Sequence, residues 1–175
     1  MTPSPVNHPY RAHNLAAVAL LSSLALIFSY VEAIIPYTPA IPGIKLGIAN
    51  IVTVIALYQF STKYAAAVNI IRVIISGLLF NGLFGMLYSL AGAILSLCGM
   101  VLLKRTEQFS ISGVSMAGGV LHNLGQLLVA AFLIEDMRIF FYFPILLISG
   151  TISGIAIGIA AELVCRRLHI YHVYH

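Results

Sequence analysis

The chain has 175 residues, of which 61% are hydrophobic and only 8% charged, nine Lys or Arg against five Asp or Glu. Soluble domains carry about 25% charged residues, so this composition excludes a soluble domain, a disordered chain and a nucleic-acid-binding surface. The net charge of +4 comes from residues at segment ends, and at about 20 residues per bilayer crossing the length accommodates six short-looped helices and no separate catalytic domain.

Residues 1–13 read as an N-terminal tail and 14–168 as one transmembrane domain. Its first apolar segment, 14–35, is too long for a signal-peptide core and lacks a small-x-small cleavage site, so it is expected to remain in the protein. Ala12 with Ala16, and Ala19 with Ser23, form small-xxx-small pairs near its start, suited either to internal packing or to docking a partner helix. Glu32 falls near its other end. The stretch Pro36-Tyr-Thr-Pro-Ala-Ile-Pro-Gly-Ile-Lys-Leu-Gly47 cannot continue a helix. Its three prolines restrict the chain, which predicts a stiff cover over the mouth of the bundle, with Lys45 near its end.

The second segment, 46–60, is short for a crossing, which leaves open a start before Lys45; it carries Asn50. The third, 64–80, places Asn69, Arg72 and Ser76 on one helical face, with Asn81 just beyond it. Arg72 lies near mid-span, where an Arg costs about 2.5–3.5 kcal/mol to insert. Two readings suit it: a contact for an anionic ligand, or a structural charge paired with Glu32 or another acid. In the fourth segment, 83–103, Gly85, Ser89, Gly92, Ser96 and Gly99 form a small-residue stripe that predicts close helix packing. The fifth, 114–134, contains His122-Asn-Leu-Gly-Gln126. His122 and Gln126 share a face, and with Asn123 they exceed what packing needs. This predicts a ligand-facing surface, with plain interhelical hydrogen bonding as the alternative. In the sixth, 140–165, Gly150, Gly154 and Gly158 recur every four residues, again a packing pattern. The tail 169–175 spaces three histidines and reads as solvated.

With the N-terminus inside, Arg11, Lys63, Lys104, Arg105, Arg166 and Arg167 lie inside and only Lys45 and Arg138 outside. The sequence therefore predicts a multi-pass protein of the cell membrane, with both termini cytoplasmic. Cys98 and Cys165 then lie toward the reducing side and read as free thiols. Glu32, Lys45, Asn50 and Asn81 fall in the outer half and Arg72, His122, Asn123 and Gln126 deeper, so the polar groups converge on a vestibule open to the outside. No phosphate-binding Gly-rich loop, Ser-His-Asp set or paired-carboxylate site is evident. The expectation is a non-enzyme that needs no cofactor or metal and binds a small molecule within the bilayer.

Four strings carry a resemblance: Pro42-Gly-Ile-Lys-Leu-Gly-Ile-Ala-Asn-Ile-Val-Thr53, Arg72-Val-Ile-Ile-Ser-Gly-Leu-Leu-Phe80, Ser89-Leu-Ala-Gly92 and His122-Asn-Leu-Gly-Gln126. They resemble the Gx transporter family, also called heptaprenyl diphosphate synthase component I. The wider architecture resembles the S components of energy-coupling factor (ECF) transporters. That resemblance implies six helices, a first outer loop over the ligand, and a coupling subunit with ATPases docked on an Ala-x-x-x-Ala motif, which Ala12 and Ala16 match in form. Two functions follow: an S-component-like subunit that captures a small anionic, prenylated or vitamin-like molecule, or a non-catalytic membrane subunit in polyprenyl diphosphate or quinone biosynthesis. A structural scaffold is the third reading. The chain has one Asp, and prenyl-chain synthesis needs clustered carboxylates to hold magnesium, so a catalytic role by that chemistry is excluded.

Overall fold

The computed structural model describes residues 8–34 and 47–167, with side chains from Asn14 onward, and the regular structure in them is helical throughout. Lys45, most of the Pro-rich stretch, the side chain of Ala12 and the histidine tail lie outside the described residues. Six α-helices follow in order: α1 (His8–Ile34), α2 (Asn50–Gln59), α3 (Thr62–Ser76), α4 (Gly82–Arg105), α5 (Ile111–Ile134) and α6 (Phe143–Arg167). A π-turn, Gly77–Asn81, joins α3 to α4, and a 3-10 turn, Met137–Tyr142, leads into α6. The start of α2 at Asn50 settles the open question about the second segment. The helix begins after Lys45, and at ten residues it is far shorter than its neighbours.

Four stretches are long and apolar enough to cross a membrane: Asn14–Ile34, Thr62–Arg105, Ile111–Ile134 and Met137–Arg167. The second of these spans 44 residues, about 66 Å if straight, roughly twice the thickness of a hydrocarbon core. It folds back on itself instead. Asn69 on α3 donates to the carbonyl of Ala93 on α4, and a Cβ added at Gly77 would lie 2.5 Å from Met86 Cβ. The reversal falls at Asn81–Gly82. Gly82 adopts φ +68°, a conformation that penalises any side chain, and Asn81 Nδ2 donates to the Ser76 carbonyl across the turn.

Contacts between the helices fix their directions. Asn14 Nδ2 donates to Tyr64 OH at 3.1 Å, and the rings of Tyr30 and Phe80 meet at 5.3 Å, so α1 and α3 run parallel. Gln59 at the end of α2 reaches the Cys165 carbonyl at the end of α6, and Gly47 approaches Ile157. Lys104 at the end of α4 donates to the Leu57 carbonyl at 2.6 Å and lies over the Tyr58 ring. Successive helices thus alternate in direction. The start of α1 and the end of α6 share one end of the bundle with Lys63, Lys104, Arg105, Arg166 and Arg167; we call it the basic end.

Helices α2 through α6 close a ring, with α1 packed on α2 and α3. Helix α2 is buried on nearly every side, from Val52 through Leu57. The small-residue stripes pack as their spacing predicts. A Cβ on Gly154 would fall 2.7 Å from Met116 Cα, one on Gly158 2.5 Å from Ser112 Cα, and one on Gly92 2.7 Å from the His122 carbonyl. The opposite face of α6, with Ile148, Ile152, Ile155 and Ile159, is exposed. So are Leu20, Leu24 and Ile27 on α1. A protein with small residues inside and large aliphatics outside suits a lipid solvent, where close backbone approach drives helix association.

These faces make opposite predictions for substitution. Gly154→Leu inserts bulk against the α5 backbone and is expected to cost at least 1–3 kcal/mol, roughly the usual overpacking penalty. Ile152→Leu, on the exposed face, should leave stability unchanged. Unfolding midpoints in detergent distinguish them; equal midpoints would show that α5 and α6 do not pack through this glycine row.

Candidate functional site

The short α2 determines where polar groups meet. Arg72 lies ten residues into α3, Asn50 nine residues before the end of α2, and His122 eleven residues into α5. At 1.5 Å per residue all three sit about 14–16 Å from the basic end, near the mid-height of the bundle. The N-terminus of α2 therefore opens inside the bundle rather than at its rim.

Arg72 is 8% exposed. Its Nη2 donates to Asn69 Oδ1 at 2.7 Å and to Asn50 Oδ1 at 3.1 Å. Asn69, itself buried, uses its Nδ2 on the Ala93 carbonyl at 3.3 Å. The guanidinium is thus held by two neutral amide oxygens from α2 and α3, and through Asn69 it is tied to α4. Among the described residues it forms no ion pair, and its buried Nε has no hydrogen-bond partner. The pairing of Arg72 with Glu32, one of the two readings of the sequence, is not formed. The Glu32 carboxylate instead accepts from the backbone N–H of Ile48 at 3.0 Å. There it completes the turn Gly47–Ala49 that leads into α2, whose remaining bonds include Asn50 N to Gly47 O at 2.8 Å. A carboxylate at a helix N-terminus also opposes the positive end of the helix dipole. Gly47 holds φ +72° there, and a Cβ on it would come 3.2 Å from Asn50 Nδ2.

On the other side of α4, His122 and Gln126 face Gly92. The missing Cβ of Gly92 leaves room for His122 Cε1 and Gln126 Cγ, each 3.0 Å from where it would stand. Arg72 with Asn69, and His122 with Gln126, therefore approach the same turn of α4 from α3 and from α5. Both His122 and Gln126 are half-buried.

The remaining candidates lie elsewhere. Asn123 is buried and turns to α6, where Nδ2 donates to the Leu146 carbonyl at 2.7 Å. Its amide serves helix pairing, the plainer of the two readings. Asn81 is exposed at the hairpin turn. Ala16, Ala19 and Ser23 are exposed on α1, and Ser23 Oγ donates to the Ala19 carbonyl at 2.9 Å. Phe84, Phe132 and Phe141 face away from the bundle, as an interfacial belt would. Sequence reasoning did not single out Asn69 as a site residue, although its place three residues before Arg72 was the available signal. Nor did it find Lys104 capping α2, because that contact spans 47 residues.

The two buried asparagines should respond differently to removal. Asn69→Leu strips a short bond from a buried charge, worth about 1.5–3 kcal/mol. Asn123→Leu breaks a neutral interhelical bond, about 0.6 kcal/mol on average in membranes. Detergent unfolding should rank Asn69→Leu as the more damaging; the reverse order would place the bundle's key polar contact between α5 and α6.

The family model described as "Heptaprenyl diphosphate synthase component I" matches residues 21–164, more than four fifths of the chain. No curated protein and no solved structure matches it. The match covers α2 through α5 entire, including Asn50, Asn69, Arg72 and His122. The chain belongs to the heptaprenyl diphosphate synthase component I family.

Proposed function

We propose that this chain is the membrane-embedded, non-catalytic binding subunit of a transport system, similar to an ECF S component. It captures a small anionic, prenylated or vitamin-like molecule from the outer side and hands it to a coupling subunit driven by separate ATPases. One observation carries the reading. A buried guanidinium sits at mid-height, held among the described residues by amide oxygens, beside the N-terminus of a half-length helix. Ionisable groups inside membrane proteins face the interior and mark ligand paths. The start of that helix at mid-depth puts Asn50, its first residue, beside the guanidinium inside the bundle. Arg72, Asn50, His122 and Gln126 are the proposed ligand contacts, with Glu32 at the approach; Lys45, outside the described residues, is a candidate from the sequence alone. Ala16, Ala19 and Ser23 on the open face of α1 are the proposed seat of the coupling subunit.

The orientation belongs to the same proposal. The five long helices cross the inner membrane and α2 covers only the half of its pass nearer the basic end; both termini are cytoplasmic, because the basic end carries five of the described Lys and Arg residues and the far end carries Arg138 beside Asp136. With Cys98 and Cys165 replaced, a cysteine at position 136 should react with an impermeant thiol reagent from outside, and one at position 63 should not. Labelling of position 63 from outside would invert the topology and move the site to the cytoplasmic side.

The family description favours a second reading, an accessory subunit of polyprenyl diphosphate synthesis. Such a subunit would present Lys104, Arg105, Arg166 and Arg167 to a cytoplasmic partner and would need no outward-facing site. Native mass spectrometry of gently purified protein separates the two. The transport reading predicts a retained small molecule that is lost in Arg72→Gln and kept in Asn81→Ala. A retained molecule indifferent to Arg72, or retained only when Lys104 and Arg105 are intact, supports the accessory reading.

A further inference from the structure

We infer that the mid-height site takes a ligand bearing a single carboxylate and rejects a diphosphate. The inference deepens the reading of Arg72 as an anion contact and rests on it.

Charge in a poorly solvated layer separates the two ligand classes. Among the described residues, Arg72 is the only fixed cation at this height. Lys63 lies nine residues back along α3, about 14 Å away along the helix axis, and Lys104, Arg105, Arg166 and Arg167 share that basic end. Arg72 is not screened by a contacting carboxylate: both of its hydrogen bonds go to neutral amides, and its Nε is buried without an acceptor. One anionic group on a ligand would complete it. Glu32, however, is bonded to Ile48 N–H, two residues before the Asn50 that Arg72 bonds. Its negative charge weakens the pull of this layer on an anion, so Arg72 is able to match one anionic group at most.

A diphosphate monoester carries two or three negative charges at neutral pH. Against one guanidinium it would leave one or two of them unmatched, and each uncompensated charge away from water costs several kcal/mol. Proteins that hold diphosphates supply several cations, a run of backbone N–H groups, or magnesium on clustered carboxylates. Here the N–H groups of Ile48, Asn50 and Ile51 at the start of α2 already serve Glu32 and the Gly47 and Ile48 carbonyls. Among the described residues no three His, Cys, Asp or Glu side chains come together. The neighbouring Asn50 and Gln126 are neutral amides and add no charge to that of Arg72.

Two small anions isolate the head-group question from the unknown remainder of the ligand: benzoate and inorganic pyrophosphate, compared at equal concentration and ionic strength on the purified full chain in detergent. Binding to the folded state alone raises the unfolding midpoint. Benzoate should raise it by about 2–4 °C, the shift expected for roughly 1 kcal/mol in a chain of this size. Pyrophosphate should give no shift beyond that of sulfate. The benzoate effect should vanish in Arg72→Gln. Glu32→Gln keeps the acceptor for Ile48 N–H but removes the opposing charge, and should tighten benzoate binding three- to tenfold; this variant carries the test if Arg72→Gln does not fold. An Arg72-dependent shift by pyrophosphate equal to or above that of benzoate overturns the charge-class inference while leaving the anion site standing. If neither anion stabilises the wild-type chain and Glu32→Gln changes nothing, the anion site itself is wrong.

Discussion

A guanidinium in the middle of a bilayer-sized bundle is the constraint around which the rest of the structure is arranged. Apolar surroundings make an isolated charge expensive, so Arg72 has to be surrounded by protein. Asn50 and Asn69 supply its acceptors, and these bonds place the first residue of α2 beside the centre of α3. The beginning of α2 is therefore tied to the depth of Arg72, and Glu32 closes the turn that precedes it. Lys104 secures the other end of the same helix through the Leu57 carbonyl and the Tyr58 ring. Polar contacts thus hold both ends of α2, its start at mid-height and its end near the basic end.

The remaining helices provide the wall. Helices α4, α5 and α6 approach through glycines, with Gly92, Gly119, Gly125, Gly150, Gly154 and Gly158 each close to a neighbouring backbone or to a side chain at its base. This contact needs no large side chains in the interior, so aliphatic bulk goes to the outside, as on α6. The same economy of side chains gives His122 its position, since a residue larger than glycine at 92 would occupy the space of its ring. Packing and site geometry thus share residues on α4. Arg72 is bonded on the α3 side of that helix, and His122 lies on the α5 side.

Much of this was legible in the sequence because membrane constraints write strong patterns. Apolar runs located the helices, small residues at four-residue spacing located their contacts, and the Asn69–Arg72–Ser76 spacing located a polar face. The readings that needed long-range geometry were not accessible. Whether Arg72 meets Glu32 or an amide depends on where α2 begins, and neither composition nor periodicity fixes that; local turn chemistry at Gly47 and Asn50 does. Asn123 adjoins His122 in sequence, yet a step of about 100° around the helix turns it to α6. Adjacency in the string suggested one polar surface, and the helix divides it between two neighbours.

The claim at the centre of this account is that the mid-height layer beside the start of α2 is reached from the side opposite the basic end. A single cysteine at position 50, in a chain with Cys98 and Cys165 replaced by Ala, tests it most directly. An impermeant methanethiosulfonate reagent is applied to sealed vesicles of each orientation. The account predicts modification of Asn50→Cys only when the far end of the bundle faces the reagent. Modification only from the basic end would contradict it, as would complete protection from both.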